Sequence, residues 1–396
     1  MHTLFVSVFA VVLSLQCHCS IAVTFADGKV TKHFNEYFPP FDVWEKSPHA
    51  GCDSFSGCLD MADRENYLNP KATSIPCGFL VPSDLDRVRT YFEKDTKCKI
   101  VLFSFILGAY NFAYNPLAKK NFLVKDKEVC LFLFVDEATL MNGHGLEQLA
   151  PNHRNRHPEY RSAIVGGNAT WKIILIKDLA ASKTHGTAHI AKTIKLNGLR
   201  LFPNAEWVIY VDTKYVVREN PRRLVDYIKK KTNHSITAYG HFMDDVPSGF
   251  EGAVSRLYYL HSRFPNKNFN AEVKAIRDQY NFYKKEGLFD VYQKNFTGYQ
   301  IDSAIFAAHN DNRARRFFCA WQNEVSLFSR RDQLSFHRVQ HALQIFAYQI
   351  WKKEMLGGKN QFAKNLARVK PVHPPKWNLF NESNPHPFTL HPSSSL

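Results

Sequence analysis

The sequence lacks the short motifs that identify many common enzymes. It contains no GxSxG nucleophile elbow, no HExxH zinc motif, no Walker A loop and no GxGxxG turn after an apolar strand. It also contains no CxxC pair, which argues against a structural zinc site. These absences argue against the function classes that depend on such motifs, and they leave the carboxylates and lysines near strand ends as candidates.

Long apolar runs are also missing beyond the first residues. The run from Leu4 to Leu15 is too short to span a bilayer comfortably, and small residues follow it around Ser20 and Ala22. This pattern predicts a signal peptide over residues 1–22 and a mature protein without a stable membrane span. We therefore expect secretion, or residence in the lumen of the ER or Golgi. Because His2 is the only basic residue before the run, an uncleaved signal anchor is the alternative.

Cysteine is sparse, but export makes disulfides plausible. Six of the eight cysteines follow the predicted signal, and an even number in an oxidising compartment favours pairing. Cys52 and Cys58 close the short loop CDSFSGC and are the predicted pair. Sequons agree with a secretory route, although chance supplies a few in a chain of this length. The four sequons are at Asn168, Asn233, Asn295 and Asn381.

Acidic residues are outnumbered by basic ones, which gives a formal net charge of +15. The basic residues form short clusters such as KKK at 229–231, and there is no basic arm, so we predict no nucleic-acid partner. A solvated basic surface is the simpler interpretation of this charge. Attraction to acidic glycans or to substrate phosphates is the functional one.

The pattern along the chain predicts an N-terminal extension over 23–71, a main domain over 72–356 and a Pro-, His- and Ser-rich tail over 357–396. Near-continuous Val, Ile, Leu and Phe in the main domain is typical of strands buried on both faces. The predicted strands are 98–107, 129–137, 171–177, 207–212 and 236–242. The predicted helices are 83–94, 188–202, 221–231, 271–287 and 332–358. Their order predicts an α/β fold with a mostly parallel, Rossmann-like sheet flanked by helices.

Carboxylates stand at the ends of two predicted strands, where open α/β sheets bind ligands. Asp136 and Glu137 end one strand, and capping of the strand-to-loop junction is their alternative role. The next case is YVDTK, in which the predicted strand continues through Asp212 into KYVV. Asp212 and Lys214 would then project from the same face. At a crevice Lys214 would contact a phosphate as a point charge; inside the sheet the two would form a structural ion pair.

Five stretches carry a resemblance to a known family. They are SIPCGF (74–79), CKIVLFSFILGAYNF (98–112), VCLFLFVDEATL (129–140), LFPNAEWVIYVDTK (201–214) and SRRDQLSF (329–336). Together they resemble the glycosyltransferase-like domain family of plant mucilage-related probable hexosyltransferases. The resemblance implies a GT-A-like fold, a nucleotide-sugar donor and a glycan or glycoconjugate acceptor. The plant relatives also carry Lys two places after Asp212, so the resemblance leaves open whether Mn²⁺ or Mg²⁺ binds at Asp212.

The resemblance also suggests roles for individual residues. Asp332 and Glu251 are the expected catalytic carboxylates, and the resemblance suggests that Asp332 touches the acceptor or acts as base. Asp332 is also well suited to cap a helix that begins at Gln333. The expected donor-binding residues are Asp212, Lys214, Asp136 and Arg331. The expected acceptor-side or accessory residues are His241, Asp245, His309 and Glu324. Asp244 and Asp245 follow a strand end and are also candidates for the metal side.

One departure from the relatives affects the functional prediction. The relatives place Arg-Glu directly before the residue matching His309, where this chain has Ala307 and Ala308. If that Arg contacts the donor or the acceptor in the relatives, this chain has lost the contact or makes it through Arg313, Arg315 or Arg316. Two rival functions therefore stay open. One is a ceramidase-type lipid amide hydrolase, an activity also assigned within the family, for which the sequence offers no clear zinc-ligand set. The other is a non-catalytic glycan-binding protein on a transferase fold.

Overall fold

The computed structural model describes residues 42–44, 61–77, 79, 83–94, 97–108, 126–142, 164–167, 171–177, 186–213, 215–217, 219–240, 250, 253–254, 257, 269–289, 301–350 and 363–365. These residues form a central sheet of eight strands and two small sheets of two strands each. No helix in these ranges is long and apolar enough to cross a bilayer.

The strands are numbered in chain order. They are β1 (Asp42–Trp44), β2 (Ser74–Pro76), β3 (Ile100–Ile106), β4 (Val129–Asp136), β5 (Ile164–Gly167), β6 (Trp171–Ile176), β7 (Trp207–Val211), β8 (Tyr215–Val217), β9 (Ile236–Gly240), β10 (Ile301–His309), β11 (Tyr348–Ile350) and β12 (Ala363–Asn365). The large sheet has the order β11-β9-β10-β7-β3-β4-β6-β5. Its central strands β7, β3, β4 and β6 are parallel, whereas β10 runs antiparallel to both β7 and β9. The prediction of a mostly parallel α/β sheet is confirmed.

The helices cover both faces of this sheet. They are α1 (Met61–Tyr67), α2 (Asp84–Glu93), α3 (Glu137–Asn142), α4 (Gly186–Leu196), α5 (Gly198–Leu201), α6 (Pro221–Lys231), α7 (Asn270–Lys285), α8 (Asn312–Leu327) and α9 (Asp332–Leu343). Successive residues of β3 alternate between two hydrophobic clusters: Val101 and Phe103 pack with α4 and α8, whereas Ile100 and Leu102 pack with α6. Burial on both faces explains the continuous apolar sequence of the strand.

Capping residues set several helix boundaries. The hydroxyl of Ser83 accepts the N–H of Asp86 (3.2 Å) at the start of α2. The side chain of Asn220 accepts the N–H of Arg222 (2.9 Å) at the start of α6, and Pro221 occupies the first helical position. The predicted helix 188–202 is instead divided into α4 and α5 at Asn197, whose side chain donates to the carbonyl of Thr193 (2.8 Å).

The predicted helix over 332–358 is wrong in its second half. The helix ends at Leu343, and Gln344 takes a left-handed conformation with φ of 55°. Residues 348–350 then form β11, which pairs with β9 in parallel. The apolar stretch QIFAYQI fits a strand as well as a helix, and pairing with an open sheet edge decides in favour of the strand.

Two disulfides join distant parts of the fold. Cys77 pairs with Cys319 on α8 at a Cα–Cα distance of 4.9 Å, across 242 residues. Cys98 pairs with Cys130 at 5.5 Å, across 32 residues, and joins the neighbouring strands β3 and β4 near their starts. The predicted pair Cys52–Cys58 lies outside the described residues.

Candidate functional site

A cluster of two lysines and one aspartate lies beside the carboxyl end of β7. Helix α4 supplies Lys192 and Lys195, and α9 begins with Asp332. The Nζ of Lys195 lies 2.6 Å from Oδ2 of Asp332, and the Nζ of Lys192 lies 2.7 Å from Oδ1. Only 3% of the Lys195 and Asp332 side chains is exposed, against 26% of Lys192. Each carboxylate oxygen therefore accepts from its own ammonium group.

Strand β10 completes the surroundings of Lys195. The Nζ of Lys195 also donates to Oγ of Ser303 (2.9 Å) and lies 4.8 Å from the ring centre of Tyr210. The β9 pairing passes from Asp302 directly to Phe306, so Ser303 lies in a bulge of three residues. Bulges commonly re-aim side chains next to active sites. Here the bulge places a hydroxyl against a buried ammonium.

The charges of this cluster are set by burial and by one another. Burial lowers the pKa of Lys195 to about 8, against the opposing effect of Asp332. Burial alone would raise the pKa of Asp332, but the charges of Lys192 and Lys195 outweigh it and hold this pKa well below its usual range. At neutral pH the three groups thus carry two positive charges and one negative charge.

Asp212 lies next to the cluster, immediately after β7. Its carboxylate is one of the charges that act on the pKa of Lys195, and with burial it raises the pKa of Tyr210. Its N–H donates to the carbonyl of Ala304 (2.7 Å), and its carbonyl accepts the N–H of Tyr215 (2.9 Å). The second bond closes a turn. The predicted continuation of the strand past Asp212 is therefore wrong. The argument that Asp212 and Lys214 project from the same face of a strand fails with it. Lys214 itself lies outside the described residues.

Sequence reasoning missed a second carboxylate, Asp302, at the start of β10. Its Oδ1 accepts the N–H of Ala304 (3.1 Å), and the hydroxyl of Tyr215 lies 3.5 Å from its Oδ2. Burial raises the pKa of Tyr210 and Tyr215, and Asp212 and Asp302 both add to each shift. The two carboxylates thus act on the same two phenols. The only signal in the sequence is an acid that precedes the apolar run SAIFAA.

Comparison with known proteins now identifies the family. Residues 42–367 match the sequence model described as "TOD1/MUCI70, glycosyltransferase-like domain". The chain belongs to this family. The resemblance inferred from the sequence motifs is confirmed, and the TOD1/MUCI70 domain includes the whole eight-stranded sheet.

Two curated relatives come from Arabidopsis thaliana. "Probable hexosyltransferase MUCI70" is 24% identical over 301 residues, which are 73% of this chain and 46% of that protein. "Alkaline ceramidase TOD1" is 26% identical over 302 residues, which are 72% of this chain and 57% of that protein. The chain spans about half the length of the curated relatives it matches.

Two solved structures are similar at a TM-score of 0.35 each. One is the apo structure of the bifunctional glycosyltransferase WbbM, with 12% identity over 64% of this chain and 38% of that chain. The other is the apo form of mouse xyloside xylosyltransferase 1, with 11% identity over 63% of this chain and 84% of that chain.

Within this TOD1/MUCI70 domain, the contacts of Asp332 and Asp136 decide the capping roles weighed for them. Helix α9 begins at Asp332 itself and its N-cap is Arg331, so the predicted capping role of Asp332 is wrong. Arg331 pairs with Glu272 (3.1 Å). The carboxylate of Asp136 accepts the N–H groups of Thr139 (2.8 Å) and Gly108 (2.7 Å). Asp136 thus caps α3 and fixes the end of β3, which is the alternative role weighed for it.

Two predicted accessory residues lie away from the cluster. Glu324 is fully buried and accepts from Arg64 (2.6 Å), from the hydroxyl of Tyr67 (2.8 Å) and from the hydroxyl of Tyr283. This is a network between helices. His309 ends β10, contacts Asp311 through Nδ1 (3.1 Å) and lies at the opposite end of that strand from Asp302. Neither residue touches the Lys192–Lys195–Asp332 cluster.

Ala307 and Ala308, which the resemblance sets against an Arg-Glu pair, are core positions. They lie inside β10, between β7 and β9, and belong to opposite hydrophobic clusters. Arg316, a suggested replacement, is buried and donates to the carbonyls of Asn69 (3.2 Å) and Ala72. In this chain the two alanines therefore contribute to packing, and the expectation of a lost substrate contact stays a prediction.

The other predicted residues divide into two groups. Outside the described residues lie Glu251, His241, Asp244, Asp245, Asn168, Asn295 and Asn381. Asn233 is exposed in the loop between α6 and β9, as a glycosylation site requires. In the described part of the chain, no group of three His, Cys, Asp or Glu side chains is arranged to hold a metal ion by itself.

Proposed function

We propose that this chain is a hexosyltransferase that moves a sugar from a nucleotide-sugar donor to a glycan or glycoconjugate. The Lys192–Lys195–Asp332 cluster beside Asp212 carries the proposal. Donor transfer releases a diphosphate, and negative charge develops on it as the bond to the sugar breaks. Two ammonium groups at the carboxyl edge of a parallel sheet oppose that charge in the place where such sheets bind ligands. The probable hexosyltransferase among the relatives supports this assignment.

A divalent cation, Mn²⁺ or Mg²⁺, fits this site if one carboxylate beside β7 and one on β10 both coordinate it. Asp212 follows β7 and Asp302 is the second residue of β10; both bond to Ala304, whose carbonyl accepts the N–H of Asp212 (2.7 Å) and whose N–H donates to Oδ1 of Asp302 (3.1 Å). Magnesium is usually bound by one or two carboxylates, with phosphates and water as the other ligands. We propose Asp212 and Asp302 as the two carboxylates. Such an ion would neutralise the diphosphate.

An amide hydrolase is the second candidate, because one relative is named an alkaline ceramidase. The Ser303–Lys195 contact is the observation that favours it, since a serine with a neutral lysine can act as nucleophile and base. Both side chains are buried, however, and Lys195 donates to Ser303 and pairs with Asp332. Burial of both side chains keeps a lipid amide away from the serine hydroxyl, and at neutral pH Lys195 is protonated and cannot accept the serine proton, so this geometry supports sugar transfer better.

A non-catalytic glycan-binding role is the third candidate. It rests on the alanines at 307 and 308, which are core positions in this chain. The charged cluster of Lys192, Lys195 and Asp332 supports a catalytic role instead. We further propose that the protein works in the secretory pathway, in the ER or Golgi lumen or after secretion, on the basis of its N-terminal sequence and its sequons.

The test uses the purified full chain with a panel of nucleotide sugars, with and without Mn²⁺. We expect release of nucleoside diphosphate with at least one donor, and faster release when an acceptor glycan is added. Lys195→Met should abolish this release, whereas Lys172→Ala, an exposed lysine on β6, should not change it. Release of fatty acid from ceramide without turnover of any nucleotide sugar would overturn the proposal in favour of the hydrolase. Binding of a glycan without turnover of any nucleotide sugar would favour the glycan-binding role.

A further inference from the structure

We infer that Lys192 is the residue that binds the donor diphosphate. Asp332 is a positioning residue, which pairs with Lys192 in the empty site and is displaced from it when an anion binds. This inference rests on the proposed function, since it assumes that the anion at this site belongs to a nucleotide sugar. It assigns Asp332 a role other than general base.

Both carboxylate oxygens of Asp332 accept a hydrogen bond from a lysine. Lys195 and Lys192 take one oxygen each, at 2.6 and 2.7 Å. Its backbone carbonyl accepts from Nε1 of Trp321 (2.7 Å), which anchors the first turn of α9. A general base needs an oxygen within hydrogen-bond reach of the acceptor hydroxyl. Asp332 is buried and each of its oxygens accepts from a lysine, so in this structure neither oxygen faces an acceptor hydroxyl.

The two lysines are not equivalent. Lys195 is buried and bonded to Asp332 and Ser303, with the ring of Tyr210 beneath it. It is therefore fixed. Lys192 has a quarter of its side chain exposed, and its ammonium pairs with Asp332. Of the two, only Lys192 can turn toward a ligand outside the protein.

Because Lys195 stays paired with Asp332, release of Lys192 from Asp332 costs little free energy. A buried carboxylate that loses its sole partner is strongly destabilised. When Lys192 turns away, Asp332 keeps Lys195 and stays neutralised. A phosphate can then compete with Asp332 for Lys192 without leaving a bare charge in the core. Asp332 thereby weakens anion binding and confines Lys192 to one position while the site is empty.

The experiment measures the affinity of the full chain for inorganic pyrophosphate by titration calorimetry at pH 6.5. Lys192→Ala should weaken binding about tenfold or more, as expected for a lost hydrogen bond between charged groups. Lys192→Arg should stay within about threefold of wild type, because it keeps the charge. Lys172→Ala is the control for loss of an exposed lysine and should bind as wild type. Lys192→Arg and Lys172→Ala should melt near wild type, whereas Lys192→Ala should melt lower, because it removes one of the two partners of the buried Asp332; the titrations are done at a temperature where all variants are folded.

The competition itself is tested at Asp332. Asp332→Asn should bind pyrophosphate more tightly than wild type, by about threefold to tenfold, and this gain should vanish in the double variant with Lys192→Ala. A structural role or a general-base role would not produce a gain that depends on Lys192. If Asp332→Asn does not fold, the Lys192→Ala result alone decides.

The outcomes separate this inference from the proposed function. Wild-type affinity in Lys192→Ala, together with turnover of a nucleotide sugar by the wild type, would overturn the inference and leave the function standing. Pyrophosphate binding through Lys192 without turnover of any donor would leave the inference standing and overturn the function. Equal or weaker binding by folded Asp332→Asn would also overturn the inference.

Discussion

Lys195 and Asp332 are separated by 137 residues in the sequence, yet their side chains meet at 2.6 Å in the interior of the protein. Removing two charges from water costs several kcal/mol, which their attraction repays only when the remaining donors and acceptors are also satisfied. Here Lys192, Ser303 and the ring of Tyr210 supply those further contacts. The pair is therefore tolerated in the core, and breaking it is expected to be costly.

The first prediction concerns stability in acid. The pKa of Asp332 is held below its usual range, so its contribution is present above the unfolded value of about 3.9 and is lost as the pH falls through the folded value. Asp332→Asn should lower the free energy of unfolding at pH 7 by about 3–5 kcal/mol. The difference from wild type should shrink below pH 4 in urea titrations. Asp278→Asn, in an exposed pair with Lys274, should show almost no difference at any pH.

A second prediction concerns anion binding in alkali. Lys195 has a pKa lowered to about 8, so it is charged below that pH and neutral above it. The groups that face it are Asp332, Lys192, Asp212, Ser303 and Tyr210. Loss of its proton removes one positive charge from the cluster, so pyrophosphate affinity should decline as the pH rises through about 8. Calorimetry from pH 6.5 to 9.5 measures this, and a flat profile would contradict it.

The third prediction separates Glu324 from the site. Its carboxylate accepts from Arg64, Tyr67 and Tyr283 in full burial, and Arg64 also pairs with Glu286 (2.6 Å). Glu324→Gln should cost about 3–5 kcal/mol of stability, because it leaves Arg64 partly uncompensated. Pyrophosphate affinity of the folded variant should equal that of wild type. Weaker binding without a lower melting temperature would instead restore the accessory role predicted from the sequence.

The disulfides give a fourth prediction. In the chain-entropy account, a bridge stabilises more when it closes a longer loop. Loss of the 242-residue closure in Cys77→Ala/Cys319→Ala should therefore cost about 2 kcal/mol more than loss of the 32-residue closure in Cys98→Ala/Cys130→Ala. Urea unfolding of the two double variants under non-reducing conditions gives the comparison. Equal costs would show that strain or residual structure, and not loop length, dominates.

Much of the fold could be predicted from the sequence because strands buried on both faces have a recognisable apolar sequence. All five predicted strands lie within two residues of the observed ones, since burial on both faces requires continuous Val, Ile, Leu and Phe. Helix α6 has its predicted bounds, which Asn220 and Pro221 set locally. The central strand β10 was missed. The apolar pattern of this strand is weakened by small residues at 303, 304, 307 and 308. These small residues allow the strand to pack closely between β7 and β9.

The candidate site could be predicted only in part. Asp212 and Asp332 were recognised as candidates, because acids at a strand end or helix start are visible in the sequence. Lys192 and Lys195 were not, since lysines on an amphipathic helix usually face water. Only the packing of α4 against α8 and the return of the chain through α9 bring them to Asp332. For the same reason the sequence could not distinguish a capping aspartate from a buried partner of two lysines.

The last prediction concerns the metal and returns to Lys214, which stands where a metal site would have a second acid. We expect Asp302 to supply that acid from β10, because Asp212 and Asp302 both bond to the backbone of Ala304 and so lie at the same place between β7 and β10. Mn²⁺ should raise the melting temperature of the wild type more in the presence of pyrophosphate than alone, since phosphate oxygens complete the coordination. Asp302→Asn and Asp212→Asn should each abolish this additional rise, and EDTA should reverse it. Asp226→Asn, an exposed acid on α6, should retain it. If Mn²⁺ and EDTA leave both pyrophosphate affinity and melting temperature unchanged, lysines alone neutralise the phosphate, and the carboxylates serve to orient them.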